Sequence, residues 1–162
     1  MLDKTTFVAL IDQKSDMLYR IARTILRNDE DCKDALQEAV LKAWENRDKL
    51  REMTYAGTWL TRILINECHA VGRKRRKYVL RADVAAQGGA APEDPALRKA
   101  LETLPEKLRL PLILHYLEGY SYRDISSILH IPRTTVRSRL SRARKALQTE
   151  LEYEQEAWLN EA

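Results

Sequence analysis

The chain has little of what builds sheets, membrane spans or disulfide frameworks. Its 162 residues hold one phenylalanine and five glycines, while Leu, Ala, Arg and Glu are abundant. That balance favours helices over strands. No apolar run approaches the ~18 residues of a membrane span. The first residues, with Asp3 beside Lys4, lack the basic and apolar blocks of a secretory signal. A cytoplasmic protein is the expectation. The two cysteines, Cys32 and Cys68, have no second Cys at metal spacing, so both read as ordinary thiols and no metal or cofactor is expected. A surplus of one charge sign is also missing: the net charge is +4. Basicity is therefore local. It is concentrated at Arg73 to Lys77 and Arg133 to Lys145, and the last residues, from Glu150 to Ala162, carry five Glu and no Lys or Arg.

What is present is helical periodicity. Phe7, Leu10, Ile11, Met17, Leu18, Ile21, Ala22, Ile25 and Leu26 recur at intervals of three and four, predicting one long helix, or two joined near Ser15-Asp16. Asn28-Asp29 breaks that pattern, and Asp29, Glu30 and Asp31 put negative charge at the start of a second helix, where the helix dipole favours it. The inward stripe of this helix is Cys32, Ala35, Leu36, Ala39, Val40 and Ala43, with Leu41 and Trp44 at its edge. A polar connection from Asp48 to Tyr55 leads to a third helix holding Ala56, Trp59, Leu60, Ile63, Leu64, Asn66, Glu67 and Val71, which runs into the Arg73 to Lys77 cluster. Tyr55 and Trp59 beside that cluster suit stacking on unpaired bases above a phosphate-attracting patch, although Trp59 fits the core equally well.

Residues 78–94, with Ala-Ala-Gln-Gly-Gly-Ala-Ala-Pro, show no period and read as a linker. A short helix over Pro95 to Thr103 follows. The next begins at Pro105 and stops at Gly119, with a local irregularity expected at the internal Pro111. Ser121 is an N-cap candidate for a helix buried through Ile125, Ile128 and Leu129. His130-Ile131-Pro132 ends it, because Pro132 lacks an N–H and drives Ile131 out of helical geometry.

A last helix starts near Arg133 on an apolar stripe of Val136, Leu140, Ala143 and Leu147, leaving Arg133, Thr134, Arg137, Ser138, Ser141 and Arg142 on the remaining faces. Between Ile125 and Thr149 there are six basic residues and no acidic one. About 15 residues of helix make a charged rod of roughly 22 Å, which a DNA major groove accepts. The reading is an all-α chain of two small domains, 1–77 and 95–151, joined by a flexible linker, with an acidic tail at 152–162. The tail reads as disordered.

In this order the parts resemble the extracytoplasmic-function (ECF) sigma factors of bacterial RNA polymerase, from Phe7 to Leu151. Asp34-Ala-Leu-Gln-Glu-Ala-Val-Leu-Lys-Ala-Trp44 is similar to the family's polymerase-binding helix. Thr58-Trp-Leu-Thr-Arg-Ile-Leu-Ile-Asn66 is similar to its promoter-melting helix. Leu104-Pro-Glu-Lys-Leu-Arg109, Tyr120-Ser-Tyr-Arg-Asp-Ile125 and Thr135-Val-Arg-Ser-Arg-Leu-Ser-Arg-Ala-Arg-Lys-Ala-Leu147 resemble its region 4.

The resemblance implies that Gln37, Glu38, Leu41, Lys42 and Trp44 face the clamp helices of the polymerase's largest subunit, and that region 4 meets the flap of the second-largest. It implies a minus-10 site of Leu50, Tyr55, Trp59, Arg62, Asn66, Arg73, Lys74, Arg75 and Arg76, in which Asn66 holds a flipped base. It implies a minus-35 site of Arg133, Thr134, Thr135, Arg137, Ser138, Arg142 and His115. The chain departs from common family choices at Thr134, where glycine is frequent, at His115, where arginine is, and at Leu50, where many members carry an aromatic. The resemblance further implies promoter DNA and core polymerase as partners, an anti-sigma factor as regulator, and no enzymatic activity.

Two other classes fit some of these residues. A stand-alone helix-turn-helix regulator binding a palindrome as a dimer would use the same last helix. An enzyme would use Asp29, Glu30, Asp31, Asp34 and Glu38 as a metal or acid-base cluster.

Overall fold

The structure, a computed structural model, describes residues 2–78 and 94–161. The expected linker falls almost wholly outside the described residues. The chain divides into two compact units, residues 1–90 and 91–162, and every described element is helical.

The first unit holds α1 (Lys4–Ile25), α2 (Asp29–Glu45) and α3 (Ala56–Tyr78), with short 3-10 turns at Arg47–Lys49 and Met53–Tyr55. The apolar run from Phe7 to Ile25 is thus one helix. Its N-terminal cap is Asp3, whose carboxylate accepts from the Thr6 N–H at 2.7 Å. Asn28 does the same for α2, accepting from the Asp31 N–H at 3.2 Å. Each cap satisfies a donor that the helix cannot satisfy itself. α2 packs against both α1 and α3. It does so on a stripe of small residues, Cys32, Ala35, Ala39 and Ala43, all buried, which lets larger partners such as Ile21 and Leu64 close the core. Each of those large side chains contributes roughly 1.5–3 kcal/mol by leaving water. Leu36 and Val40, expected in the same stripe, are only half-buried.

The second unit holds α4 (Pro95–Thr103), α5 (Glu106–Tyr116), α6 (Tyr122–Leu129) and α7 (Arg133–Glu161). α5 continues through Pro111, which is buried inside it. Gly119, at φ 75°, turns the chain after α5 so that the Tyr120 N–H reaches the Leu114 carbonyl at 2.9 Å, a left-handed position that glycine adopts at little cost. Ser121 and Asp124 form a reciprocal capping box on α6. His130 takes the left-handed conformation at its other end (φ 55°). There the Ile131 N–H donates to the Ser126 carbonyl at 3.2 Å, and the Ser126 hydroxyl donates to the Ile131 carbonyl at 2.5 Å. The turn is therefore bonded from both sides. Val136, Leu140 and Ala143 of α7 are fully buried, and α7 packs against α4, α5 and α6.

α7 does not stop where the sequence suggested. It runs for 29 residues, about 43 Å, and residues 152–161 continue it as helix rather than forming a separate disordered tail.

Candidate nucleic-acid interface

α7 carries the basic face. Turning about 100° per residue, it places Thr134, Arg137, Ser138, Ser141 and Arg142 away from the buried Val136, Leu140 and Ala143, while Arg133, on the same side as Val136 and Leu140, is exposed because it is the first residue of the helix. Arg133, Thr134, Arg137 and Arg142 are exposed, while Thr135, Ser138 and Ser141 are half-buried. Arg142 donates from Nη2 to Ser138 Oγ at 2.7 Å. Arg144 belongs elsewhere: its Nη1 donates to the Tyr116 hydroxyl at 2.9 Å, and the bonds to Tyr116 and Tyr122 raise its pKa further.

His115 is half-buried beneath the turn, with Nδ1 2.7 Å from the Tyr120 carbonyl. Its ring stands edge-on to Tyr116 and Tyr122, with centroids at 4.8 and 5.0 Å. Nδ1 carries the proton in that contact, so the neutral ring offers only an acceptor at Nε2. A phosphate contact from His115 therefore requires the doubly protonated ring.

α3 carries a second face. Trp59, Arg62, Asn66 and Arg73 follow one another at spacings of three, four and seven, so they line one side of the helix over about 21 Å. Tyr55 (53% exposed) stands at its entrance. Asn66, Arg73, Lys74 and Arg76 are exposed, and Trp59 and Arg62 are half-buried. Two expected members lie differently. Leu50 is buried at 9% exposure, so its side chain packs in the core. Arg75 points to α2 and pairs with Asp31, Nη1 to Oδ2 at 2.5 Å, which withdraws its charge from the basic cluster.

The outer face of α2 is not basic. Gln37, Glu38 and Leu41 are exposed, Leu41 at 55%. Lys42 forms an ion pair with Glu67 of α3, and the hydrogen bond to that carboxylate raises the Lys42 pKa. Trp44 is half-buried: Phe7 meets it edge-on at 5.1 Å, and the Arg47 guanidinium lies 3.8 Å over its ring. Sequence reasoning missed Arg47, although an Arg three residues after an edge tryptophan is a signal for such stacking.

Beside Leu41, an apolar cavity of about 450 Å³ opens between α1 and α2, lined by Ile11, Leu18, Leu36 and Val40 among others. The second unit has an apolar groove of about 300 Å³, lined by Leu97, Leu101, Leu112, Ile113, Tyr116, Leu117, Arg144 and Leu147. Neither was legible in the sequence, because each needs residues from different helices.

Two of the acidic residues at the start of α2, Asp29 and Asp31, are engaged in structural contacts. Asp29 receives a hydrogen bond from the Tyr19 hydroxyl and an ion pair from Lys33 at 3.0 Å. These contacts, the Tyr19 bond first, hold its pKa below the usual carboxylate range. Among the described residues no group of three His, Cys, Asp or Glu side chains could hold a metal ion.

A helical unit with an aromatic and basic face, followed by a helix-turn-helix unit with a basic last helix, defines a two-part reader of DNA, and comparison with known families gives the class. The family model of sigma-70 region 2 matches residues 10–78, and that of sigma-70 region 4 matches residues 95–147. The ECF RNA polymerase sigma factor SigW of Bacillus subtilis is 30% identical over 169 residues, covering 92% of this chain and 90% of SigW. The ECF sigma-E factor of Escherichia coli K12 is 34% identical over 142 residues, covering 75% and 74%. Among solved structures, the sigma factor RpoE in complex with the anti-sigma factor NepR from Bartonella quintana superposes with a TM-score of 0.77 at 28% identity, over 90% of this chain and 96% of that one. The chain belongs to the ECF sigma factors of the sigma-70 family.

Proposed function

We propose that this protein binds core RNA polymerase and directs it to promoters, with α7 on the minus-35 element and the Tyr55 to Arg73 face of α3 on the opened minus-10 element. The observation that carries this reading is the pairing of two different DNA faces with a third, non-basic face on α2. A helix-turn-helix alone needs neither α3's aromatic face nor α2's exposed Leu41. Energetics favour the division of labour. Base-pair stacking is worth about 1.4 kcal/mol per step, so even a short bubble costs many kcal/mol. Stacking each captured base returns about 1–3 kcal/mol. The remainder comes from polymerase, and so does the chemistry: the sigma factor supplies recognition and no catalysis.

Gln37, Glu38 and Leu41 would meet the clamp helices, and the groove beside Leu117 suits an amphipathic helix of the flap. An anti-sigma factor that covers these same apolar surfaces would keep the protein silent; the Bartonella relative forms a complex with the anti-sigma factor NepR. Among the described residues no helix is long and apolar enough to cross a membrane, and a partner of polymerase works where the chromosome is, in the cytoplasm.

The test is run-off transcription from fragmented genomic DNA of the source organism, using core polymerase with and without the protein. Discrete new start sites that need both components support the reading. Protection of a palindrome by the protein alone, with no response from core, would replace it with a dimeric regulator.

A further inference from the structure

We infer that Lys42 is a positioning residue: by pairing with Glu67 it fixes Asn66 of α3 relative to the polymerase-facing side of α2, and it makes no contact with polymerase itself. The inference rests on the function proposed above, and it reassigns a residue that family resemblance places on the polymerase surface.

Glu67 is 6% exposed and directly follows the exposed Asn66. One residue of helix turns its side chain about 100° away from Asn66, toward α2, where the Lys42 ammonium pairs with it. A buried carboxylate stripped of its cation is costly. A polymerase group that took Lys42 for itself would leave that carboxylate stranded one residue from the base-capturing Asn66. Lys42 also sits at the rim of the α2 surface, one residue past the exposed Leu41.

A second pair closes the other end of the same helix contact, Asp31 of α2 to Arg75 of α3 at 2.5 Å. The two pairs run antiparallel, with residues 31 and 42 on α2 facing 75 and 67 on α3. Their polarity is opposite: α2 supplies the cation at one and the anion at the other. A slide or rotation of α3 by one turn breaks both. The face of α3 that receives bases is thereby held in register with the face of α2 that receives polymerase.

The test uses the full chain, core polymerase, and a promoter recovered by the run-off experiment with 2-aminopurine in its minus-10 element. Lys42→Met is expected to bind core with unchanged affinity, yet to lower strand opening at saturating core by about tenfold, as a carboxylate is left unpaired. Lys42→Met with Glu67→Gln, which removes the stranded charge, is expected to recover opening, and so is the reversed pair Lys42→Glu with Glu67→Lys.

If Lys42→Met weakens core binding and saturating core restores opening, Lys42 is a polymerase contact and the inference is overturned. Unchanged opening in Lys42→Met overturns it as well. Should Lys42→Met lose helix content, the reversed pair decides, because a direct contact at position 42 cannot survive charge reversal whereas a positional pair can. Failure of the unmodified protein to bind core at all strikes the function reading first, and is seen before any variant is made.

Discussion

Arg142 reaches back one turn along α7 to Ser138, its Nη2 2.7 Å from the serine hydroxyl. The bond spans the exposed face of the helix and fixes the direction of an otherwise mobile guanidinium, with further N–H groups left to donate outward. Under the function proposed above, those groups are available to a base edge or a phosphate. Arg142→Ala should cost about 1–3 kcal/mol of promoter binding by the holoenzyme and relax preference at one or two minus-35 positions. Ser138→Ala, which frees the guanidinium, should cost roughly 0.5–1.5 kcal/mol. Affinities measured over a panel of single-base minus-35 variants decide the matter; equal weakening on every sequence makes Arg142 a phosphate contact.

His130 is the non-glycine residue with positive φ among those described, at 55°. It closes α6 just before Pro132, and the left-handed conformation costs a side chain with a Cβ about 1–2 kcal/mol. His130 is exposed, so little packing offsets that cost. His130→Gly should stabilise the second unit by about 0.5–1 kcal/mol after the entropy that glycine adds to the unfolded chain, and His130→Ala should not. Hydrogen exchange of the buried Ile125 and Ile128 amides reports on this unit alone, and slower exchange in the glycine variant alone is the expected result.

The helices were legible because they depend on neighbours three and four residues away. Asp29 to Asp31, Pro132 and Gly119 each act on the backbone within one turn, and the structure places helix boundaries beside all of them. The sequence misleads on the length of α7: no Pro or Gly follows Pro132 to stop the helix, but the shift from basic to acidic composition reads as its end. Composition governs what a helix binds more than where it stops. What the sequence could not show are contacts between distant positions. Lys42 with Glu67 and Asp31 with Arg75 join residues 25 and 44 apart, and they turn two apparent surface cations into members of a helix contact. Leu50 stands in a polar connection yet is buried, which the local pattern of residues around it does not signal.

Burial pushes the pKa of the Cys32 thiol up from an ordinary value of 9.0 to about 11. The folded state then holds a proton that the unfolded state releases between these values, so stability falls as pH rises through that window and is unaffected below it. A gap of about two pH units between the folded and unfolded thiol corresponds to roughly 3 kcal/mol at most, lost once pH passes both values. Tyrosines and lysines titrate in the same range, so the measurement is the difference in urea stability between the wild type and Cys32→Ala from about pH 8 to about pH 11. Cys32→Ala should narrow its deficit as pH rises. The neutral, buried thiol should also resist alkylation near neutral pH until the chain unfolds.

Leu117 ends α5 with 54% of its surface exposed while lining the apolar groove of the second unit. A large apolar side chain left half in water at the edge of a groove contributes little to the fold and much to whatever fills the groove. Leu117→Gln should therefore leave helix content and free-protein stability nearly unchanged. If an amphipathic helix of the polymerase flap docks there, burying a polar amide against it should cost about 1–3 kcal/mol. The loss should show in binding of the flap and in transcription from minus-35-dependent promoters, while affinity for minus-35 DNA measured without polymerase stays the same, because the α7 face bearing Arg137 and Arg142 is untouched. A parallel fall in DNA affinity without polymerase would mean that Leu117 supports the helix-turn-helix itself, and the groove would lose its claim to the flap.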